Sequence, residues 1–179
     1  CSKALSIKPD YAICNYNLGI ILTAQGLLEE AIAAYIKALA LKPNYVEVYN
    51  NIGNILQELD KPEEALESYN MALSIKPEYA EALNNIGIIA RIQGKLEEAI
   101  DAYRQALALK PDYAEAYSNM GNALLERGKV EEAELVHRKA IEAKPDYVSG
   151  WNNLAISLQI IKMKVSSTKE LLSFCPLDI

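Results

Sequence analysis

The segment Lys110-Pro111-Asp112-Tyr113 decides the fold, because the same junction returns at a constant interval along the chain. Related junctions of a lysine, a proline, a polar residue and a tyrosine stand at residues 8–11, 42–45, 76–79 and 144–147. The five prolines are therefore 34 residues apart, with no insertion or deletion between them. A unit of this length is too short to bury a core alone, so the units must stack on their neighbours. The interval predicts a repeat protein whose function lies on the surface of the stack.

Each unit has the pattern of two helices joined by a turn. In residues 46–79, Tyr49, Ile52, Gly53 and Leu56 lie at i, i+3, i+4 and i+7, which is the apolar stripe of an amphipathic helix. A second helix begins at a pair of glutamates and ends at the lysine before each proline, so its charges complement the helix dipole. Between the two helices stands a residue that can adopt a left-handed turn, namely Gly26, Asp60, Gly94 or Gly128.

Two local patterns predict how the helices begin and pack. Asp112 with Glu115 is a capping-box arrangement at the start of a first helix, and Asn44 with Glu47 repeats it. Small residues recur at one position of the first helices and one position of the second helices, which predicts that small residues face each other in close contact. These columns are Gly19, Gly53, Gly87, Gly121 and Ala155, and Ala31, Ala65, Ala99 and Ala133.

The columns that contain Tyr117, Gly121, Leu124, Ala133 and Pro111 resemble the tetratricopeptide repeat, over residues 1 to about 161. The resemblance implies an all-α fold, a right-handed superhelical solenoid of antiparallel helix pairs whose first helices line a concave groove. It divides the chain into the C-terminal part of a truncated repeat, four full repeats, and a partial repeat with a divergent capping helix or tail. These segments are residues 1–11, 12–45, 46–79, 80–113, 114–147 and 148–179.

The last segment departs from the repeat pattern. After Ile161 the turn glycine, the acidic pair and the alanine are replaced by residues 162–167. The sequence Ser167-Thr168-Lys169-Glu170 predicts the cap of a short helix that ends before Pro176. Two interpretations stay open: a degenerate terminal helix that covers the last repeat, or a tail around Phe174 that docks into another molecule.

Composition and charge argue against several classes of partner. The net charge of -6 and the scattered basic residues disfavour nucleic acid, which requires clustered Lys and Arg. The apolar runs are far shorter than the roughly 20 residues of a membrane-spanning helix, so we expect no membrane partner. Cys1, Cys14 and Cys175 fit reduced thiols of a cytoplasmic protein, with Cys14 as a small packing residue. The sequence starts within a repeat, so the N-terminus has the pattern of a truncation.

The sequence offers little for catalysis. It has one histidine, no glycine-rich phosphate loop and no nucleophile paired with a base, so we expect no enzyme activity, no cofactor and no metal site. His137 falls in a column that holds tyrosine in three other units, which predicts an inward-facing ring. The paired glutamates, such as Glu131 and Glu132, are typical helix-start residues on a solvated face.

One polar column suggests a function. An asparagine stands at the same position of all five first helices: Asn17, Asn51, Asn85, Asn119 and Asn153. Stacking would place these amides roughly 10 Å apart, and an amide both donates and accepts, so it can pair with the backbone of an extended peptide. The column is similar to the repeat arms of O-linked N-acetylglucosamine transferases, where an asparagine ladder holds protein substrates. The alternative is that the amides tie neighbouring helices together or meet water.

The positions beside this asparagine ladder alternate between polar and apolar units. The polar places hold Glu47, Asn54, Glu115 and Asn122, and the apolar places hold Ile20, Ile88 and Ile156. If the stripe faces the groove, it suits an extended peptide with apolar anchors separated by Lys or Arg. The alternative is that the isoleucines fill gaps between successive repeats.

The sequence therefore predicts a non-catalytic protein-protein interaction scaffold that binds an extended peptide segment in its concave groove. One rival is a substrate-recruiting arm of a larger enzyme, such as a glycosyltransferase of the O-linked N-acetylglucosamine type. Another is a self-assembling solenoid, because an inward-type face at residues 1–8 would be exposed for end-to-end self-association. Five amide hydrogen bonds at about 1 kcal/mol each fall short of the about 8 kcal/mol of micromolar binding, so we expect weak to moderate affinity.

Overall fold

A computed structural model of the protein describes the backbone of residues 2–173 and the side chains of residues 11–166. All regular elements in this range are α-helices, which confirms the predicted all-α class. In chain order they are α1 (Ser2–Ala24), α2 (Leu28–Leu41), α3 (Val46–Glu58), α4 (Pro62–Ile75), α5 (Ala80–Ile92), α6 (Leu96–Leu109), α7 (Ala114–Glu126), α8 (Val130–Ala143) and α9 (Val148–Ser173). The chain divides into two compact units, Cys1–Ile86 and Gly87–Ile179, with the boundary inside α5.

The first unit contains α1 to α4 and the start of α5. Helix α1 packs against α2 and α3 packs against α4, so successive repeats form their own helix pairs, and α2 packs against α3 to stack them. Ala31 and Tyr35 on α2, and Ala65 and Tyr69 on α4, are buried in this stack. The arrangement is the solenoid of helix pairs that the repeat interval predicts.

The second unit contains the end of α5 and the helices α6 to α9. Helix α7 packs against both α6 and α8, and α9 packs against α7 and α8. Small side chains fill most of the buried core, so the helices approach closely while a few large residues occupy the remaining volume. One core cluster of this unit consists of Ala90, Ala99, Ile100, Tyr103, Ala123, Leu124 and Ala133.

The glycines of the first helices receive aromatic rings of the second helices. A Cβ atom added to Gly53 would lie 2.4 Å from Cε1 of Tyr69, and one added to Gly19 would lie 2.3 Å from Cε1 of Tyr35. The same relation joins Gly87 with Tyr103 and Gly121 with His137. The prediction that small residues face each other is therefore wrong for the glycine column, because the missing Cβ makes room for a ring. The predicted inward-facing ring of His137 is confirmed, since that residue is fully buried.

The turns within the repeats have the predicted geometry. Gly26, Gly94 and Gly128 adopt φ angles of 74°, 74° and 81°, and Asp60 adopts 57° at the equivalent position. Residues other than glycine rarely adopt this left-handed backbone conformation, so the turn explains why glycine recurs at this position. Asp60 holds the same conformation at a cost in backbone strain.

The junctions between repeats do not use the predicted capping boxes. Helix α3 begins after Tyr45 and α7 begins after Tyr113, and neither helix has a side-chain cap hydrogen bond. The tyrosine contacts the junction lysine instead: Nζ of Lys42 lies 4.0 Å from the ring centroid of Tyr45, and Nζ of Lys110 lies 4.5 Å from that of Tyr113. This cation–π contact gives the lysine and the tyrosine of the repeated junction a physical role.

The two ends of the described chain differ from the predicted boundaries. Helix α1 continues through position 9 without the turn that the other four junctions form. Helix α9 continues through Ser167 to Ser173, so a separate short helix capped at Ser167 is not present. Residues 162–167 contain neither glycine nor proline, so nothing interrupts the backbone hydrogen bonds there. The prediction for Phe174 lies outside the described residues, and Cys14 is an exposed free thiol rather than a packing residue.

Candidate functional site

The structure places the predicted site residues on the first helices of the pairs, divided between the two units. The first unit carries Asn17, Ile20, Glu47, Asn51, Asn54 and Asn85, and the second carries Ile88, Glu115, Asn119, Asn122, Asn153 and Ile156. Five of the predicted side chains, on α1, α3 and α9, are exposed, whereas most asparagines of the ladder are half-buried. The exposed members are Asn17, Ile20, Glu47, Asn54 and Ile156, and the others are half-buried.

Two ladder amides of the first unit bond to neighbouring helices. Nδ2 of Asn51 donates to the hydroxyl of Tyr35 over 3.2 Å. Nδ2 of Asn85 donates to Oδ1 of Asn50 over 3.1 Å and to Oδ1 of Asn54 over 2.9 Å. An amide nitrogen carries two hydrogens, so both donors of Asn85 are engaged within the protein. These contacts correspond to the alternative role for the ladder, in which amides tie successive helices together.

The ladder in the second unit also includes a bond between helices. Nδ2 of Asn153 on α9 donates to Oγ of Ser118 on α7 over 2.7 Å. The partner differs from those of Asn51 and Asn85, although all three asparagines occupy the same place in their repeats. The amides therefore do not form a uniform row of open groups, and the exposed places between them become the more accessible part of the surface.

The first unit contains a groove that brings three predicted site residues together. We name it the α1–α3 groove; its volume is about 320 Å³, and its lining residues are Ile20, Thr23, Ala24, Tyr35, Asn51 and Asn54. The lining surface is mainly apolar, and the two asparagine side chains supply polar atoms. A recess of this size accepts an aliphatic side chain, and the flanking amides lie where a peptide backbone would pass.

The sequence did not single out Thr23 or the tyrosine hydroxyls at this groove. The hydroxyl of Tyr69 lies 2.8 Å from Oδ1 of Asn54 and 2.9 Å from Oε1 of Gln57, and its single hydrogen serves these two acceptors. Burial raises the pKa of Tyr69, so the phenol remains a neutral donor. The signal was present in the tyrosine column, because a buried tyrosine needs a partner for its hydroxyl.

The predicted acidic residue of the second unit, Glu115, and Glu126 on the same helix have cationic partners on the protein itself. Oε1 of Glu115 lies 3.8 Å from Nζ of Lys144, and Oε1 of Glu126 lies 2.5 Å from Nη1 of Arg91. A basic residue of a peptide would have to compete with these cations. Glu47 in the first unit is the exposed acidic member of the predicted set. Ile88 packs against the core cluster, as expected for a residue that fills a gap between repeats.

A second cavity lies between α6, α7 and α8, and no sequence pattern indicated it. Its volume is about 430 Å³, and aliphatic residues such as Ile100, Met120 and Leu124 form its floor. Its rim carries charges of both signs, including Arg104 and Glu142. The mixed rim shows no preference for a ligand of either charge.

No group of histidine, cysteine, aspartate and glutamate that could hold a metal ion occurs among the side chains that the structure describes. Within the same part of the chain, none of the helices has the length and apolar character needed to cross a bilayer.

Family models identify the class of protein. A model for "TPR repeat" matches residues 20–60 and 87–126. Two models for "Tetratricopeptide repeat" match residues 46–79 and 114–144. Together the matches span more than half of the chain, so the chain belongs to the tetratricopeptide repeat (TPR) family. A search of curated protein sequences gave no match.

Solved structures share the fold. The MamA protein is 25% identical, with a TM-score of 0.70 over 89% of this chain and 87% of that one. PilF of Pseudomonas aeruginosa is 23% identical, with a TM-score of 0.79 over 90% of this chain and 74% of that one. YrrB, described as "a TPR protein with an unusual peptide-binding site", is 23% identical, with a TM-score of 0.65 over 90% of this chain and 83% of that one. These likenesses confirm the solenoid of helix pairs.

Proposed function

We propose that the protein is a non-catalytic scaffold that binds an extended peptide segment of a partner protein, with the α1–α3 groove as an anchor site. The observation that carries the proposal is the combination, in one groove, of aliphatic walls and two asparagine side chains. An aliphatic peptide side chain would enter beside Ile20, and the amides of Asn51 and Asn54 would meet the peptide backbone. Recognition of the backbone requires no particular sequence, so such a site suits several partners.

The remaining members of the predicted set offer further contacts within each unit. Exposed Glu47 would pair with a Lys or Arg of the peptide on one side of the groove. In the second unit, Ile156 offers an exposed apolar contact, and Glu115 offers a carboxylate shared with Lys144. The peptide chemistry that fits is therefore aliphatic anchors with basic residues between them, and a nucleic acid or a membrane does not fit a chain of net charge -6.

The energetics limit what one groove can hold. Burial of one aliphatic side chain contributes about 1.5–3 kcal/mol, and each amide hydrogen bond adds about 1 kcal/mol. The sum stays below the about 8 kcal/mol of micromolar binding, before the ordering of the peptide is subtracted. We therefore expect that several anchor sites act together, and that single peptides bind weakly.

Two likenesses support the binding mode. YrrB, whose description names a peptide-binding site, has the same fold. The asparagine ladder resembles that of O-linked N-acetylglucosamine transferase arms, where such amides hold protein substrates. We assign to this chain the holding role alone, and a cytoplasmic location is part of the proposal.

A phage-displayed peptide library tests the proposal, followed by fluorescence anisotropy with the selected peptides. We expect enrichment of peptides with aliphatic residues flanked by Lys or Arg. Replacement Ile20→Ser would weaken binding by about tenfold or more, because it removes apolar contact from a rim residue that is 43% exposed. The matched control is Ile36→Ser on α2, which is 56% exposed and does not line the groove. Equal affinities of the two variants would refute the anchor site.

A specific observation also favours self-association as a second candidate. Ile21 on α1 is 55% exposed, whereas Ile55 at the same place in the next repeat is 1% exposed. Leu18 and Ile52 show the same contrast. The face of α1 is thus shaped for another helix, and a second copy of the chain would cover it. Light scattering at increasing concentration tests this candidate: we expect an oligomer that Ile21→Lys returns to a monomer, and a wild-type monomer at all concentrations would exclude it.

A further inference from the structure

Where α8 meets α9, a histidine replaces a tyrosine and a serine replaces an aliphatic residue. His137 on α8 stands in the column of Tyr35, Tyr69 and Tyr103 and is fully buried. Ser157 on α9 is also fully buried, in a column that otherwise holds Ile21, Ile55, Ile89 and Ala123. The two replacements face each other, since Nδ1 of His137 lies 2.9 Å from Oγ of Ser157. A buried polar pair at positions that hold tyrosine and aliphatic residues in the other repeats needs a reason beyond packing.

The hydrogen bonds around Ser157 indicate which nitrogen of His137 carries the proton. Oγ of Ser157 donates its only hydrogen to the backbone oxygen of Asn153 over 3.2 Å. The contact with His137 can coexist with this bond only if Nδ1 donates and Oγ accepts. Nε2 is then the unprotonated nitrogen. It is buried against Gly121, and it has no hydrogen-bond partner among the residues that the structure describes.

The same network reaches the asparagine ladder. Asn153 accepts from Ser157 through its backbone oxygen and donates from Nδ2 to Oγ of Ser118 on α7. His137, Ser157, Asn153 and Ser118 therefore connect α8, α9 and α7 through consecutive hydrogen bonds. The network therefore links a predicted peptide-binding residue, Asn153, to a buried imidazole.

We propose that His137 is a proton-sensitive latch: the neutral ring holds α9 against α7 and α8 and orients Asn153, and protonation of Nε2 opens the network and releases the start of α9. The latch would make binding at Asn153 and Ile156 in the second unit weaker in acid. This inference rests on the proposed function for its consequence in binding, while the latch itself can be measured without a peptide.

Among the residues that the structure describes, no charged side chain is paired with the ring to compensate an added charge. The groups facing it are Ser118 and Gly121 from α7 and Ser157 from α9, and none of these carries a charge. Burial lowers the pKa of His137, and the backbone of Ser118 offsets part of this effect. Protonation at Nε2 is therefore disfavoured while the site stays closed.

Six charged side chains on or beside the surrounding helices are paired with one another rather than with the ring. The ion pairs join Glu115 with Lys144, Glu126 with Arg91, and Glu134 with Arg138. Lys162 and Lys164 on α9 are exposed. No described ion pair involves the imidazole.

The single histidine of the chain gives a direct test by NMR. Long-range ¹H–¹⁵N correlations distinguish the two neutral tautomers, and a titration gives the pKa. We expect the Nδ1–H form at about pH 7.5, and a pKa below the ordinary value of about 6.5. An Nε2–H tautomer, or titration at the ordinary value while α9 stays packed, would overturn the latch.

The single tryptophan reports on α9. Nε1 of Trp151 donates to the backbone oxygen of Pro145 over 2.9 Å, so release of the start of α9 changes its emission. We expect a fluorescence transition between about pH 6.5 and about pH 5 in the wild type. The transition should be absent in His137→Tyr, whose ring matches the other three repeats, and in His137→Phe, which guards against misfolding of the first variant. A transition that persists in both, or none in the wild type, contradicts the proposal.

A binding experiment connects the latch to the site. The probe is a library-selected peptide that binds at about pH 7.5, measured again at about pH 5.5. We expect about a tenfold loss of affinity in the wild type, equivalent to about 1.4 kcal/mol, and little loss in His137→Tyr. Equal losses in both proteins would refute the coupling. If no peptide binds at either pH, the proposed function fails, and the NMR and fluorescence results still decide the latch.

Discussion

Replacement of Gly53 by alanine tests how tightly the tyrosine rings are held. The added Cβ would lie 2.4 Å from Cε1 and 2.7 Å from Cζ of Tyr69, which is closer than nonbonded carbons can approach. The ring cannot move away at low cost, because it is fully buried and its hydroxyl serves Asn54 and Gln57. Either the ring leaves its place or α3 separates from α4.

The expected change in the free energy of unfolding combines two losses and one gain. Overpacking of a core position costs about 1–3 kcal/mol, and loss of the hydrogen bonds of the Tyr69 hydroxyl costs about 1 kcal/mol more. Alanine is better than glycine within a helix by about 1 kcal/mol, which offsets part of the loss. We therefore expect Gly53→Ala to lower the free energy of unfolding by about 1–3 kcal/mol.

Urea denaturation followed by circular dichroism measures this change, and a double-mutant cycle with Tyr69→Leu isolates the contact. The smaller side chain makes room for the new methyl group, so the double variant should be more stable than the sum of the single changes implies. Gly26→Ala is the matched control, because its added Cβ meets no atom within 4 Å. That variant carries only the strain of a left-handed alanine. If Gly53→Ala does not lower stability, or if the cycle shows no coupling, the close fit of ring and glycine is refuted.

Three further predictions concern single side chains. Asp60→Gly should raise the free energy of unfolding by about 0.5–1 kcal/mol in urea denaturation, because Asp60 holds a φ of 57° that glycine adopts without strain; equal or lower stability would contradict this. Tyr69→Phe should lower the free energy of unfolding by about 1 kcal/mol more than Tyr103→Phe, since of these two hydroxyls only that of Tyr69 has side-chain hydrogen bonds of normal geometry. Equal losses would argue against those bonds. The pKa of His137 is lowered in the folded state, so the unfolded chain binds a proton more readily and stability falls as the pH falls below about 6.5. Thermal melts at several pH values should show this fall in Tm for the wild type and a smaller fall for His137→Tyr; equal falls would contradict it.

The periodic features of the fold could be predicted from the sequence. The 34-residue interval determines the helix pairs, and the need for a left-handed residue determines the turns at Gly26, Gly94 and Gly128. Both are local properties, so each repeat shows them independently. The capping boxes were mispredicted because the helices begin after Tyr45 and Tyr113, and the cation–π contacts of the junction lysines are formed there instead.

The partners of the ladder amides could not be predicted, because they depend on side chains that vary between repeats. Asn51 bonds to Tyr35, Asn85 bonds to two other asparagines, and Asn153 bonds to Ser118, although the period gives the three the same position. The α1–α3 groove depends in the same way on what surrounds Ile20. The repeat period thus predicts where each asparagine lies on its helix, whereas the hydrogen bond that it makes depends on the neighbouring helix.

The contact between glycine and aromatic ring also bears on how such arrays can change length. Each ring occupies the notch that a glycine leaves on the other helix of its own repeat, because glycine has no Cβ atom. Tyr35 lies in this way at Gly19, and Tyr69 lies at Gly53. Deletion or duplication of one complete 34-residue unit would leave every ring with its notch. A rearrangement that is not a whole multiple of 34 residues would leave a ring facing a helix position without a glycine. Gene-level exchange is therefore tolerated best in whole repeats, so a natural array can gain or lose them without rebuilding its core.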